Sequence, residues 1–185
     1  MRMKLLLRHW PWLAATLVLA IVVHAASVYL LPRFVMMRTM AAIARNTGVN
    51  AISHGQRPSS RSRGVVRPSP DLLYSTCIYD LAAAHGAVRV HAKDMPATYW
   101  SVSLFDADTN NFYVMNDRQA KGGAVDFLLI APGTFVDGNR LPVVIAPTER
   151  GIVLFRTLIN DETHIAQIDA ARRHAGCEAY VADSR

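Results

Sequence analysis

The sequence predicts a mainly β protein, namely a small antiparallel β-sandwich or barrel-like domain with a C-terminal helix, preceded by an N-terminal transmembrane helix. Residues 13–31 contain no Asp, Glu, Lys or Arg, and a helix of nineteen residues crosses the roughly 30 Å core of a bilayer. Residues 98–105 alternate apolar and polar side chains, as a half-buried strand does. Asn160 or Asp161 can cap a late helix, and Gly176 can end it.

The N-terminal segment has the features of a membrane anchor. Residues 1–12 form a basic flank, and aromatic residues that suit the lipid headgroup layer lie at both ends of the apolar run, namely Trp10, Trp12 and Tyr29. A cleaved signal peptide is the alternative, because Val23-His24-Ala25 resembles a secretory cleavage site. The apolar run continues to Leu31, beyond the usual signal core of about 7–15 residues. We therefore predict that residues 13–31 are an uncleaved signal anchor.

Charge is distributed unevenly along the chain. Residues 1–67 hold ten Lys or Arg and no acid, whereas residues 68–185 hold ten Lys or Arg and fourteen acids, which gives +10 and −4. The basic part adjoins the predicted anchor, which favours contact with anionic membrane lipid. No nucleic-acid-binding motif accompanies the arginines, so the charge does not predict a nucleic-acid partner.

The side of the membrane is predicted from the cysteines, because basic residues flank the anchor on both sides and do not settle its orientation. Cys77 and Cys177 are the only cysteines and are compatible with one disulfide in an oxidising compartment. Two buried free thiols are the alternative. Since long C-terminal domains translocate despite flanking charge, we expect this domain on the extracytoplasmic side of the cell membrane, periplasmic in a Gram-negative cell.

Two segments connect the predicted anchor to the domain. Residues 32–48 begin with Pro32 and repeat apolar side chains at helical spacing, which predicts an amphipathic juxtamembrane helix. This helix can lie in the membrane interface, or pack on the domain or on a second copy, so a homo-oligomer stays open. Residues 49–70 are rich in Arg, Ser and Pro, which predicts a flexible or extended linker.

Residues 71–185 form the predicted β-rich domain, and its 115 residues are enough for a core of its own. Short strands separated by Gly, Pro and Asp at regular intervals are typical of a sandwich or barrel. The predicted strands are Tyr74–Leu81, Ala87–Ala92, Thr98–Phe105, Phe112–Met115, Val125–Ile130, Leu141–Ile145, Gly151–Leu158 and Cys177–Val181.

Spaced short pieces of this domain resemble a known family. They are Arg67-Pro68-Ser69-Pro70-Asp71-Leu72-Leu73-Tyr74-Ser75, Tyr99-Trp100-Ser101-Val102, Thr109-Asn110-Asn111-Phe112, Pro132-Gly133, Pro147-Thr148 and Arg156-Thr157. Over about residues 65–160 the combination is similar to the family called domain of unknown function 1254. The resemblance implies a β-sandwich, and it implies that longer members continue into a second β-rich domain, called domain of unknown function 1214.

The resemblance implies a partner rather than a reaction. This sequence does not contain the companion domain, so a protein partner that carries domain of unknown function 1214 is expected. The family has Asn at the position of Ser69 and Thr at the position of Leu72, and those two differences put any polar role of these positions in doubt. The family names no activity.

Motifs for chemistry are absent from the sequence. The seven histidines have no metal-ligand spacing, and no phosphate-binding loop, dinucleotide fingerprint or nucleophile elbow is found, so no metal, cofactor or catalytic residue is predicted. The best polar cluster, at the ends of predicted strands, contains Asp71, Tyr74, Asp106, Asn110 and Arg118, with Asp108 and Asn111 beside them. A carboxylate of this cluster can act as a general base and Arg118 as an anion clamp, although turns themselves also require such residues.

Two function classes follow. We expect a membrane-anchored envelope protein whose domain is a protein-interaction or assembly module. The alternative is a small-ligand-binding protein or enzyme that uses the Asp, Tyr and Arg cluster. The first is favoured, because function has to be argued from a site and the sequence alone defines none.

Overall fold

The structure is a computed structural model that describes residues 2–63, 67–120, 123–136, 138 and 140–181, with the backbone alone for residues 2–8. The chain divides into two compact units, residues 1–35 and residues 36–185.

The predicted anchor lies on one long helix, α1 (Arg2–Thr47). From His9 onward α1 is long and apolar enough to cross a membrane, and its most apolar window has no buried residue. Pro32 lies inside α1 rather than at the start of a second helix. Because proline has no N–H, one intrahelical hydrogen bond is lost there, while the rest of the ladder keeps the helix continuous.

The unit formed by residues 36–185 is a two-sheet β-sandwich with a C-terminal helix, which confirms the predicted fold class. The strands are β1 (Ile52–His54), β2 (Leu72–Asp80), β3 (Ala87–Ala92), β4 (Trp100–Phe105), β5 (Asn111–Asn116), β6 (Val125–Ile130), β7 (Val143–Ile145), β8 (Arg150–Leu158) and β9 (Gly176–Ala179). Strand β1 lies within the segment whose composition predicts a linker, where it pairs with β2.

The two sheets differ in the direction of one edge strand. The first sheet has the order β1-β2-β8-β4-β5 and is antiparallel throughout, and the second has the order β7-β6-β3-β9 with β7 parallel to β6. Trp100, Val102 and Leu104 of β4 face the core between the sheets, as their alternation predicts. Ser101 and Ser103 therefore lie on the outer face of the first sheet.

A disulfide joins the two sheets at one side of the sandwich. Cys77 in β2 is bonded to Cys177 in β9, with their Cα atoms 6.3 Å apart. The edge strands β1 and β9 contact each other on this side. On the opposite side β5 and β7 are both edge strands, and the rings of Tyr113 and Phe127 meet there across the core, with centroids 5.1 Å apart.

The last turns of α1 pack on the domain, which is one of the alternatives that the sequence left open. Met36 and Met40 are buried in a cluster with Ile78 and Ile152 on the outer face of the first sheet. The spacing of four residues puts both methionines on the same face of the helix. Gly48, at φ +80°, follows the helix and adopts the left-handed conformation that ends it.

The C-terminal helix begins with a 3-10 turn (Glu162–His164) and continues as α2 (Ile165–Arg172). Asp161 caps the turn, because its carboxylate accepts the Thr163 N–H. Ile165 and Ile168 of α2 pack against the start of β2 and the end of β8. The helix ends before the predicted Gly176, because that glycine is already the first residue of β9.

Candidate functional site

The structure does not bring the five predicted site residues together. Strands β2 and β4 are both antiparallel to β8, so they run parallel to each other in the first sheet. The end of the sheet where β4 begins therefore carries three of the predicted residues: Asp71 and Tyr74, at the start of β2, and Arg118, after β5. Asp106 and Asn110 follow β4 at the other end. The six-residue strand β4 separates the two groups by about 17 Å.

Asp106 and Asn110 build the turn between β4 and β5. One carboxylate oxygen of Asp106 accepts the N–H groups of Asp108 and Asn110 at 2.9 and 2.8 Å, and the other accepts the Asn110 side-chain amide at 2.9 Å. The Asp106 residue is only 4% exposed. These contacts use both carboxylate oxygens, which is the role that an Asx-turn gives an aspartate.

The other three predicted residues lie at one end of the sheet without a shared contact. The Tyr74 hydroxyl accepts the N–H of Ser69 at 3.0 Å. Asp71 and Arg118 are both exposed. Among the residues that the structure describes, no hydrogen bond or ion pair joins the side chains of Asp71, Tyr74 and Arg118.

Buried polar atoms that lack a hydrogen-bond partner among the described residues cluster where β4 begins. We call this part of the domain the Trp100 end. Four buried side-chain atoms lack a hydrogen-bond partner within the described part of the chain, namely Thr98 Oγ1, Ser101 Oγ, Asp117 Oδ1 and Arg156 Nε. All four belong to this end: Thr98 and Ser101 flank Trp100, the Asp117 N–H donates to the Trp100 carbonyl, and Arg156 pairs with Ser101 in register. An unpartnered buried polar group costs about 1–3 kcal/mol, which makes this end the first place to search for a ligand.

A cleft of about 340 Å³ opens at the Trp100 end, between the loop before β4 and helix α2. We call it the α2 cleft. Its lining includes Pro96, Thr98, Asn160, His164, Gln167 and Ile168. This volume is at the lower end of the range for small-molecule sites, about 300–1,000 Å³.

An aspartate and a histidine form a hydrogen-bonded pair in the wall of the α2 cleft. Asp161 Oδ2 contacts His164 Nδ1 at 2.7 Å, and Asp161 Oδ1 accepts the hydroxyl and the N–H of Thr163 at 2.7 and 2.8 Å. These hydrogen bonds, first of all that from the Thr163 hydroxyl, lower the pKa of Asp161 to about 2. The carboxylate is therefore ionised at neutral pH and orients the imidazole.

Behind the cleft, a buried arginine ties α2 to the first sheet. Arg172 is 2% exposed, and its guanidinium donates to Asp169 Oδ1 at 2.7 Å, to the carbonyls of Tyr74 and Gly55 at 2.9 and 2.7 Å, and to Ser75 Oγ at 3.0 Å. With these acceptors the buried charge is paired and hydrogen-bonded, as a stable buried ion requires. In the sequence Arg172 is only a basic residue near the end of the predicted late helix, and no local pattern marks its burial.

A histidine joins this network from β1. His54 Nδ1 lies 2.9 Å from Ser75 Oγ. Burial lowers the pKa of His54, and the nearby charges of Arg172 and Arg173 lower it further, against a smaller opposing effect of Asp169. The imidazole is thus held neutral and accepts the Ser75 hydroxyl proton in a hydrogen bond.

Exposed apolar side chains lie on β7 of the second sheet and in the loop before it. Val143 and Ile145 are 47% and 62% exposed, and they lie in register with the buried Leu128 and Ile130 of β6. Phe135, in the loop that precedes β7, is 92% exposed. We call Phe135, Val143 and Ile145 the β7 patch. Sequence reasoning missed it because a strand of three apolar residues does not reveal which of its faces lacks a cover.

Comparison with solved structures shows the same fold in part of a longer chain. The VPA0106 protein from Vibrio parahaemolyticus superposes with a TM-score of 0.62 at 14% identity, over 83% of this chain and 36% of that chain. A protein from Burkholderia cenocepacia gives a TM-score of 0.47 at 17% identity, over 83% of this chain and 41% of that one. The present chain thus spans about two fifths or less of the length of these relatives.

Comparison with sequences gives a family and no characterised relative. Curated protein sequences contain no match to this chain. The family model described as "Protein of unknown function (DUF1254)" matches residues 49–179, which is more than half of the chain and includes both sheets. This protein therefore belongs to the DUF1254 family.

Proposed function

We propose that this protein is a membrane-tethered interaction module whose β-sandwich docks, through the β7 patch, on a β-rich companion domain carried by another polypeptide. The observation that carries the proposal is the patch itself. Its three large apolar side chains lie beside an edge strand whose outer side has no partner strand among the described residues. Exposed apolar side chains on an edge strand and in the loop before it favour a docking site at this edge.

The contacts beneath the patch make it suitable for docking. Leu128 and Ile130 are buried under Val136, Leu141 and Tyr180, so the outer face of the second sheet already has a packed apolar base. The β7 patch extends that base towards the edge of the sheet. An incoming strand that paired with β7 would gain backbone hydrogen bonds together with these apolar contacts.

The lengths of the relatives support a companion domain as the occupant. The matched region takes up 36% of the VPA0106 protein, so most of that chain lies outside it. The family resemblance implies that longer members continue into domain of unknown function 1214. In the assembly we propose, a separate polypeptide supplies that domain.

Co-purification from native membranes tests the docking. Tagged full-length protein would be cross-linked, solubilised in mild detergent and analysed by mass spectrometry. We expect a partner that carries domain of unknown function 1214, with cross-links near β7. Changing Val143→Asp together with Ile145→Asp should reduce recovery of that partner at least about tenfold, because charges in an apolar contact are desolvated without a counter-ion.

Val114→Asp is the matched control. Val114 is also 47% exposed and also lies on an edge strand, but in the other sheet. It should leave recovery of the partner unchanged. Equal loss from both variants would contradict docking at the β7 patch. Cross-links between two copies of this chain alone would assign the patch to a homo-oligomer and would contradict a companion domain.

We also propose that α1 holds the domain at the extracytoplasmic side of the membrane and that the basic residues near the anchor contact anionic lipid. The disulfide between Cys77 and Cys177 supports this side, because such bonds persist in oxidising compartments. Thiol trapping in intact cells tests it: maleimide should label neither cysteine until a reductant is added, and a C-terminal alkaline phosphatase fusion should be active. Free thiols in promptly quenched cells would place the domain in the cytoplasm.

A further inference from the structure

The α2 cleft presents polar groups that the fold itself leaves without partners. The Thr98 hydroxyl is buried in its wall and makes no hydrogen bond to any residue that the structure describes. The side-chain amides of Asn160 and Gln167 line the same cleft, and no hydrogen bond joins them to another described residue. Each of these three groups both donates and accepts hydrogen bonds.

His164 adds a directed acceptor to this set. Its Nδ1 faces the Asp161 carboxylate, so the pair favours the tautomer that carries the proton on Nδ1. The other ring nitrogen, Nε2, is then an acceptor, and no described residue bonds to it. The carboxylate is itself engaged by Thr163 and His164, so it orients the imidazole and does not meet a ligand as a free anion.

The charges around the cleft indicate what kind of ligand fits. No Lys or Arg is among the described residues that line it, so the cleft does not offer the cation that a carboxylate or phosphate would need. The rest of the lining is apolar, formed by Pro96 and Ala97 of the loop before β4 and by Ile168 and Ala171 of α2. The cleft thus combines neutral hydrogen-bonding groups and one carboxylate, which Thr163 and His164 already engage, with apolar side chains from both of its elements.

We propose that the α2 cleft binds a neutral, hydroxyl-rich ligand of the saccharide class. The hydroxyl groups of a sugar ring both donate and accept, which matches the Thr98 hydroxyl and the two amides, and one of them donates to His164 Nε2. The C–H face of the ring packs on the apolar side chains of the lining, Pro96 and Ala97 above all. This site is separate from the β7 patch and does not depend on docking there.

Nuclear magnetic resonance of the full-length protein tests the proposal. The protein, with ¹³C-labelled histidine rings, would be held in a zwitterionic detergent without a sugar headgroup and titrated with glucose, galactose and N-acetylglucosamine. We expect at least one sugar to shift the His164 ring signals in a saturable manner. The exposed His174 lies outside the cleft lining and serves as an internal reference.

Two variants distinguish binding from a structural role. Thr98→Val removes a hydroxyl that has no partner among the described residues, so folding should be preserved while affinity falls about fivefold, the value of one neutral hydrogen bond. Asn160→Ala combined with Gln167→Ala should abolish measurable saturation. His174→Gln, the control, should leave the titration unchanged.

Three kinds of result would contradict a saccharide site in the α2 cleft. If none of the three sugars gives a saturable shift at His164, or if His174 shifts in parallel, the cleft is not a saccharide site. A saturable response to acetate or inorganic phosphate in place of the sugars would assign anion chemistry and overturn the proposed ligand class. Unchanged affinity in both cleft variants would place the binding elsewhere.

Discussion

At the scale of single residues, the most consequential side chain is Arg172. It lies on α2, yet three of its hydrogen bonds end on Gly55, Tyr74 and Ser75, which belong to β2 or follow β1. The guanidinium therefore joins three parts of the chain that are distant in sequence. Its planar fork of donors serves several acceptors at once, which the ammonium group of a lysine cannot do.

Arg172→Ala should destabilise the domain by about 3–5 kcal/mol, because Asp169 Oδ1 and the acceptors on Gly55, Tyr74 and Ser75 lose the buried guanidinium that donates to them. Urea unfolding of the detergent-solubilised protein, followed by tryptophan fluorescence, measures this loss. The control is Arg173→Ala, since the exposed Arg173 also pairs with Asp169. It should change stability by less than about 1 kcal/mol. Equal effects of the two variants would contradict the role given to the buried arginine.

His54 should make stability depend on pH. Its pKa is lowered on folding, so the unfolded chain binds its proton more readily than the folded chain does. The contribution of His54 is complete above the unfolded pKa of about 6.5 and is lost as pH falls below that value towards the folded pKa. The charged groups that face it are Arg172, Arg173 and Asp169, and a protonated imidazole adds to the two positive charges.

The measurement is the urea midpoint from pH 7.5 to about 5, compared between the wild type and His54→Asn. Asparagine keeps an acceptor for the Ser75 hydroxyl and does not titrate. The variant should therefore lose less stability than the wild type as pH falls below about 6.5. Parallel curves for the two proteins would show that His54 has no part in the acid sensitivity.

At the scale of elements, the disulfide and the order of the strands decide which sides of the sandwich are closed. Cys77 and Cys177 are 100 residues apart in sequence and join β2 to β9. On the other side β5 and β7 leave two edges exposed. On the open side an edge strand can pair with a strand of another chain. This agrees with the docking that we propose at β7.

Removing the disulfide should cost the domain about 2–5 kcal/mol, since a bond that closes a loop of this length restricts the unfolded chain strongly. Cys77→Ala combined with Cys177→Ala, compared with the oxidised wild type by urea unfolding, measures the effect. Adding a reductant should lower the stability of the wild type and leave that of the double variant unchanged. A wild type that is insensitive to full reduction would contradict the prediction.

At the scale of the whole molecule, the chain combines an apolar helix with a domain that has its own core. The double variant Leu19→Arg with Val22→Arg introduces two charges near the middle of the apolar run. Each charge should add about 2.5–3.5 kcal/mol to the free energy of membrane insertion. The variant should appear in the supernatant after carbonate extraction, whereas the wild type stays with the membrane pellet. Val181→Arg, at an exposed position of the domain, is the control and should not change the extraction.

Intact mass spectrometry of the membrane-bound protein separates the anchor from a cleaved signal. An uncleaved anchor keeps residues 13–31 in the mature chain. A mass that corresponds to cleavage after Ala25 would contradict the anchor, because the apolar run would then be divided.

The sequence by itself determined the long apolar N-terminal helix, the β-rich class and most of the strands. The bounds predicted for Ala87–Ala92 and Val125–Ile130 are those of β3 and β6, because side chains that alternate between core and outer face leave a local pattern. The Asp161 cap is equally local. All of these features depend on residues within a few positions of each other.

Only the tertiary structure decided how these elements are arranged and which polar groups meet. It separated Asp71 and Tyr74 from Asp106 and Asn110, since strand order and direction are set by packing between distant segments. It also buried Arg172 between α2 and β2, and opened the α2 cleft beside Thr98. Contacts between residues far apart in sequence leave no periodic signal, so the candidate sites became visible only once the sheets were assembled.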